Sequence, residues 1–168
     1  TVPTVNHPDF GPIIEQYRPD IGVVFGCGKI QPHVFEYFKT GLLNVHRGIA
    51  EQYRGLDSDL WAIYHNDYHN IGVTIHFVEE KLDTGEIVFV EKMKFSPGDE
   101  IFHIKYKTTR IASDLVIQAL KDQEKGMLKI FPNHYENSRY YSAMPAVLKP
   151  VCLKKYRKFI QNGTWKVK

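Results

Sequence analysis

Asp20-Ile21-Gly22-Val23-Val24-Phe25, followed after a proline-led segment by Leu42-Leu43-Asn44-Val45, sets the architecture. Ile21 to Phe25 is apolar throughout, the mark of a strand covered on both faces and so of a parallel sheet. Between the two runs, Gln31-Pro32 opens a short helix with Val34, Phe35 and Phe38 on its apolar side. Gly41 is expected to end that helix, since it tolerates positive φ. Strand, helix, strand is the βαβ unit of an α/β domain. Upstream, Asp9 to Tyr17 is expected to form an amphipathic helix, with Asp9 as cap and Phe10, Ile13, Ile14 and Tyr17 facing inward.

Downstream, Asp57-Ser58-Asp59 suits the positive end of a helix that continues through Leu60-Trp61-Ala62-Ile63-Tyr64. Ile71 to Val78 and Glu86 to Phe95 read as strands joined through Asp83-Thr84-Gly85. Ser96-Pro97-Gly98-Asp99 then places an N-cap hydroxyl and an N1 proline ahead of a long helix carrying Ile101, Ile104, Ile111, Leu115 and Leu120. From Met127 the chain turns irregular and aromatic, with a last helix expected over Pro145 to Ile160. Neither internal repeats nor low-complexity segments occur.

The 168 residues are one domain's worth, and 43% hydrophobic with 24% charged residues exclude a disordered, collagenous or coiled-coil chain. A net charge of +3 does not mark a dedicated nucleic-acid binder. Cys27 and Cys152 cannot build a disulfide framework; they suit a reducing compartment and are expected to be buried or inert. No apolar run approaches the roughly 18 residues of a membrane span. Thr1-Val2-Pro3-Thr4-Val5 lacks the pattern of a signal peptide, so a cytoplasmic location is expected and the Asn162-Gly163-Thr164 sequon is read as accidental.

Asn44 and His46 stand at the carboxyl end of a buried strand, the edge where α/β sheets assemble sites. At i and i+2 they face the same way. An amide can stabilise an oxyanion, and an imidazole can exchange a proton near neutral pH. The structural alternative is a capping Asn44 and a satisfied, partly buried His46. Asp83, in the turn Leu82-Asp83-Thr84-Gly85, could join them as a base or as the group that orients the imidazole, or could simply serve as an Asx-turn residue. Asp-Thr-Gly also occurs in aspartic proteases, but that reading needs a homodimer of all-β chains, which these helices contradict. Gly26-Cys27-Gly28 lacks the third glycine of a dinucleotide fingerprint and reads as a tight turn. His65, Asp67 and His69 could be grouped as metal ligands but read better as a polar loop, and Lys154 to Lys158 reads as a solvated basic face.

Taken together, Leu43-Asn44-Val45-His46, Tyr53-Arg54-Gly55, Trp61-Ala62-Ile63, Gly72-Val73-Thr74-Ile75-His76-Phe77-Val78 and Leu82-Asp83-Thr84-Gly85 resemble the formyltransferases that use 10-formyltetrahydrofolate, over about Pro19 to Val90. The resemblance implies a Rossmann-like sheet with flanking helices and a one-carbon transfer to an amine. It places Asn44, His46 and Asp83 where that family keeps its catalytic residues, with Asp83 keeping the imidazole charged and relaying the proton. It also implies that Cys27, Gly28, Lys29 and Ile30 line the folate site through backbone groups and that Val78, Glu79 and Glu80 form a loop over the pterin. The co-substrate is 10-formyltetrahydrofolate, and no metal is implied.

Two departures stand out. Arg47-Gly48-Ile49-Ala50 replaces a common Ser-Leu-Leu-Pro segment, and the chain starts near what resembles the family's third strand. Residues 1–145 are therefore expected to be the C-terminal portion of the catalytic domain and 146–168 a C-terminal helix and tail. An unpartnered apolar sheet edge is then expected near Val23 and Val45 unless further strands cover it. The implied acceptor is a small amine, an amino-sugar nucleotide ahead of glycinamide ribonucleotide. Methionyl-tRNA is disfavoured because little chain remains after Tyr141 for a basic tRNA-binding domain. Tyr135, Tyr140 and Tyr141 could stack on a base or pack in the core. A homodimer is compatible with the sequence, no membrane partner is expected, and a non-catalytic folate-binding module is the rival from another class.

Overall fold

The computed structural model describes residues 2–163 and Trp165. Thr164 of the sequon lies outside the described residues. The βαβ unit forms as read, from β1 (Ile21–Phe25), α2 (Pro32–Phe35) and β2 (Gly41–His46), after a short α1 (Phe10–Glu15). β1 and β2 pair in parallel, with Val24 opposite Asn44 and Phe25 opposite Val45. β4 (Gly72–Phe77) and β5 (Ile87–Lys92) complete a four-stranded sheet in the order β1-β2-β4-β5. Both added pairings are antiparallel, which makes the sheet mixed.

The face of β2 that carries Leu43 and Val45 joins Val73, Ile75 and Val88 under α4 (Ile101–Glu124), where Ala112 and Ala119 let the helix approach closely. Burying a Leu or Ile side chain in such a layer is worth about 1.5–3 kcal/mol. The opposite face carries Leu42, which packs with Ile30 and Val34 from the α2 region. A second core gathers around α3 (Ser58–Tyr64) and α5 (Lys149–Asn162), with Ile63, Ile104, Cys152 and Tyr156 buried together. A two-stranded parallel ribbon of β3 (Tyr53–Gly55) and β6 (Arg139–Tyr141) links this core to the sheet. α5 is thus part of the same packed body as α3.

Several local expectations shift. β1 is not covered on both faces: Val23 and Phe25, beside Leu43 and Val45 in the register, are 38% and 47% exposed and lie outside the core that forms under α4. Val45, by contrast, is buried and its strand is paired on both sides, so only the Val23 half of the expected open edge exists. Gly41 does not cap α2; it opens β2 at φ 125°, where a Cβ would press on the Phe77 ring. The long helix starts at Ile101, capped by Glu100, and not at Pro97. Gly98 sits at φ 77°, and the Asp99 carboxylate turns back to accept from the Ser96 N–H (2.7 Å) and Lys107 Nζ (2.5 Å), closing a turn ahead of the helix. Cys152 is buried, but Cys27 is exposed at the end of β1. No helix among the described residues is long and apolar enough to cross a membrane.

Candidate active site

Strand register builds the site. Asn44 and His46 share the face of β2 opposite Leu43 and Val45, and the antiparallel register sets His76 of β4 beside Asn44. Between Ile75 and His76 the pairing with β5 slips by a residue, a bulge that re-aims the end of β4. Asp83 comes from the β4–β5 connection, where its backbone adopts φ 56°. That is the left-handed region, which non-glycine residues occupy only when their surroundings hold them there.

Four side chains converge. Asn44 Nδ2 lies 3.1 Å from His76 Nε2 and donates to Asp83 Oδ1 at 3.3 Å. His76 Nε2 is 3.4 Å from the same oxygen, while His46 Nδ1 is 3.5 Å from Asp83 Oδ2. The Gly55 N–H donates to Asp83 Oδ2 at 2.7 Å, so both carboxylate oxygens are engaged. On the far side of its ring, His46 Nε2 donates to the Tyr53 carbonyl at 2.8 Å. His76 Nδ1 donates to the Phe77 carbonyl at 2.7 Å, leaving Nε2 turned to Asn44 and Asp83.

The electrostatics follow from these bonds. Burial works against the charge on Asp83, which is 9% exposed, but the hydrogen bond to His76, the charge of His46 and the Gly55 N–H outweigh it and hold the carboxyl at about 2. For His46, burial is the largest influence and pushes its pKa below 6.5, against the pull of Asp83 and the Tyr53 carbonyl. Attraction to Asp83 and burial thus pull the ring in opposite directions, and burial, the larger influence, favours its neutral form. With Nε2–H bound to Tyr53, its lone pair is on Nδ1, facing the carboxylate. A proton taken up there gains an ion-pair partner at once. The arrangement is a proton-accepting imidazole, a permanent anion to balance it, and an amide donor alongside.

These residues open onto a cavity of about 350 Å³, within the range of small-molecule sites. Cys27, Gly28, Lys29 and Ile30 line it from the β1 side, and Val78 and Glu79 line it from the end of β4. Glu80 does not; Lys81 and Leu82 take its place in the wall. His76 joins Asn44, His46 and Asp83 as a fourth member of the site. Its signal was the pairing register, which no local pattern reveals. Tyr140 reaches the cavity and stands with Tyr135 around the Arg54 guanidinium, whereas Tyr141 stacks on Trp61 at 4.5 Å. Among the described residues no cluster of His, Cys, Asp or Glu is arranged to hold a metal ion. Asp67 instead accepts from the Tyr53 hydroxyl at 3.0 Å, and His65 Nε2 lies 2.7 Å from the Tyr141 hydroxyl. The basic run on α5 is only partly a solvated face, since Tyr156 inside it is fully buried and Lys155 donates to the Tyr64 carbonyl.

Comparison with known proteins gives this geometry a context. A family model described as formyl transferase matches residues 4–120. The methionyl-tRNA formyltransferase of Chlorobium chlorochromatii is 31% identical over 120 residues, covering 71% of this chain and 38% of that protein. The chain thus spans about two fifths of the length of such relatives. Among solved structures, the formyltransferase PseJ from Anoxybacillus kamchatkensis, in complex with UDP-4,6-dideoxy-4-formamido-L-AltNAc and tetrahydrofolate, superposes with a TM-score of 0.65 at 23% identity, over 86% of this chain and 71% of that one. HypX from Aquifex aeolicus in complex with tetrahydrofolic acid superposes with a TM-score of 0.65 at 24% identity, over 85% of this chain and 25% of that one. The shared fold is that of the Rossmann-like sheet with flanking helices.

Proposed function

The chain belongs to the formyl transferase family, and from that premise we propose that it carries the chemistry of formyl transfer from 10-formyltetrahydrofolate to a primary amine. The observation that carries this reading is the convergence of Asn44, His46, His76 and Asp83 at the wall of one cavity. The folate supplies the formyl group and leaves as tetrahydrofolate. The neutral amine forms a bond to the formyl carbon, and the carbonyl electrons move to oxygen. Asn44 supplies the amide donor for that oxyanion. The amine proton passes to the His46–Asp83 pair, where the charge gained by the ring is balanced by a carboxylate already ionised. As the oxyanion collapses, the bond to the folate nitrogen breaks and that nitrogen takes the proton. Atoms and charge balance without a metal.

The folate wall on this reading is Cys27, Gly28, Lys29 and Ile30 with Val78 and Glu79, which line the cavity from either side. For the acceptor we favour a small amine, an amino-sugar nucleotide first. The likeness to PseJ supports it, whereas the methionyl-tRNA relatives support tRNA. A soluble, cytoplasmic setting belongs to the same proposal. The test is release of tetrahydrofolate from 10-formyltetrahydrofolate with a panel of amino-sugar nucleotides, glycinamide ribonucleotide and methionyl-tRNA. Transfer to one acceptor, lost in Asp83→Asn, supports the enzyme. If folate binds and no acceptor is formylated above the Asp83→Asn control, the chain is a binding module.

A further inference from the structure

Beyond the cavity, residues 127–134 leave the end of α4 and run along the outer edge of β5. Ile87 and Phe131 exchange both backbone hydrogen bonds at 2.8 Å. That pairing delivers Asn133 beneath the Asp83 turn, from 50 residues further along the chain. Asn133 is 8% exposed. Its Nδ2 donates to the Asp83 carbonyl at 3.2 Å and to the Gly85 carbonyl at 2.9 Å, so both amide hydrogens go to the carbonyls that flank Thr84. Its Oδ1 is buried without a hydrogen-bond partner among the described residues. An orphaned buried acceptor weakens a fold, so the side chain's own satisfaction does not explain an amide at this position. The two-pronged donor does, because Asp83 sits at φ 56° and such a backbone persists only where neighbours over-determine it. The Gly55 N–H fixes the carboxylate from one side, and Asn133 fixes the main chain from the other.

We propose that Asn133 is a positioning residue: by clamping the carbonyls of Asp83 and Gly85, it sets the direction in which the Asp83 carboxylate faces His46 and His76. The role rests on the formyl-transfer reading only for its effect on turnover, and its effect on the histidine rings can be read without any reaction. The titratable groups facing Asp83 are His46 and His76, and Asp59 adds a further charge near His46.

The experiment uses the full chain with Asn133→Asp, which keeps the shape but turns two donors into acceptors facing carbonyls, Asn133→Ser, which keeps one short hydroxyl donor, and Asn133→Gln, which restores the donors on a longer arm. Ring titrations of His46 and His76 by NMR, together with kcat and KM for 10-formyltetrahydrofolate, are the readouts. With the carboxylate released, His46 loses the attraction that opposes burial, so its titration moves to lower pH in Asn133→Asp and Asn133→Ser. kcat falls on the order of tenfold to a hundredfold with KM within about twofold, as expected when a reacting group is misplaced by an ångström. Asn133→Gln recovers part of both. Should Asn133→Asp fail to fold, Asn133→Ser decides. An unchanged His46 titration in folded Asn133→Ser, with only a lowered melting temperature, overturns the proposal and leaves Asn133 a loop brace. If the wild type transfers no formyl group, the activity reading fails while the titration still decides the role of Asn133.

Discussion

The Asp83 turn and the Gly26-Cys27-Gly28 turn both line the cavity, yet they are held in opposite ways. Around Asp83 the carboxylate meets Asn44, His46, His76 and the Gly55 N–H, the backbone meets Asn133, and the Thr84 hydroxyl donates to the Lys81 carbonyl. A Cβ on Gly85 would collide with the Phe77 carbonyl. Gly26 to Lys29, by contrast, are exposed, and a Cβ on Gly26 or Gly28 would meet nothing within 4 Å among the described residues. Where that loop ends it is tied down by Asn6, which donates to the Lys29 carbonyl and accepts from the Gln31 N–H. On the proposed reading, the Asp83 wall is preorganised for handling a proton, and the glycine wall has room to adapt to a folate. Catalysis needs a fixed geometry, while a binding loop can be ordered by its ligand.

The largest effect should come from removing the charge at the centre of the braced turn. Asp83→Asn keeps the shape and leaves His46 without an anion to balance the proton it gains. Turnover should fall on the order of 10²- to 10⁴-fold, the range for general acid–base groups, with little change in folate affinity by titration calorimetry. A fall below tenfold would mean that the carboxylate only shapes the turn.

Next in size is Gly85→Ala, which drives a methyl group into the Phe77 carbonyl. Backbone cannot yield as a flexible side chain does, so the fold should lose roughly 1–3 kcal/mol, read as a lower urea midpoint at unchanged slope. A neutral result would show the turn to be as pliant as the glycine turn opposite.

How much of this contrast was legible in the residues differs between the two walls. Asn44 and His46 announce themselves through i, i+2 spacing at the end of an apolar strand, and Asp83 through its turn. His76 does not, because only the antiparallel register of β4 against β2 brings it beside Asn44. Asn133 sits in a stretch without periodicity and owes its place to a single pair of bonds across the edge of β5. The start of α4 departs from its local pattern for a related reason. Ser96-Pro97 is a good N-cap sequence in isolation, but the Ser96 N–H and Lys107, the latter outside that local pattern, hold Asp99 in a turn. Local chemistry fixes which elements form, whereas contacts between distant segments decide how the site is braced.

Acid should expose the same bracing in two stages. An unfolded His46 takes up a proton as pH falls through 6.5, while the folded ring, held lower by burial, does not. Stability is therefore lost from about pH 6.5 downward. Asp83 behaves alike at lower pH: an exposed carboxyl protonates near 3.8, the folded one at about 2, so the stability it contributes, present above pH 4, disappears as pH falls toward 2. That second loss is on the order of 2 kcal/mol. Urea midpoints measured from pH 8 to 2 for wild type, His46→Gln and Asp83→Asn separate the stages. If His46→Gln and wild type lose stability in parallel between pH 7 and 5, the ring does not resist protonation.

The smallest effect belongs to the open wall. At Gly28 a Cβ meets nothing, and the backbone is not in the left-handed region, so Gly28→Ala should change stability by no more than about 0.5 kcal/mol. At Gly26, φ 68° makes the same substitution strained although space is equally free, and a loss of about 1 kcal/mol is expected. Two glycines of one turn thus separate conformational strain from crowding, which the Asp83 turn combines. If the loop adapts to its ligand, Gly28→Ala should alter KM for 10-formyltetrahydrofolate by a few-fold and leave kcat alone, because the methyl group intrudes only when the ligand closes on the backbone. A drop in kcat without a change in KM would break the contrast, since it would tie the glycine turn to the same rigid geometry as Asp83.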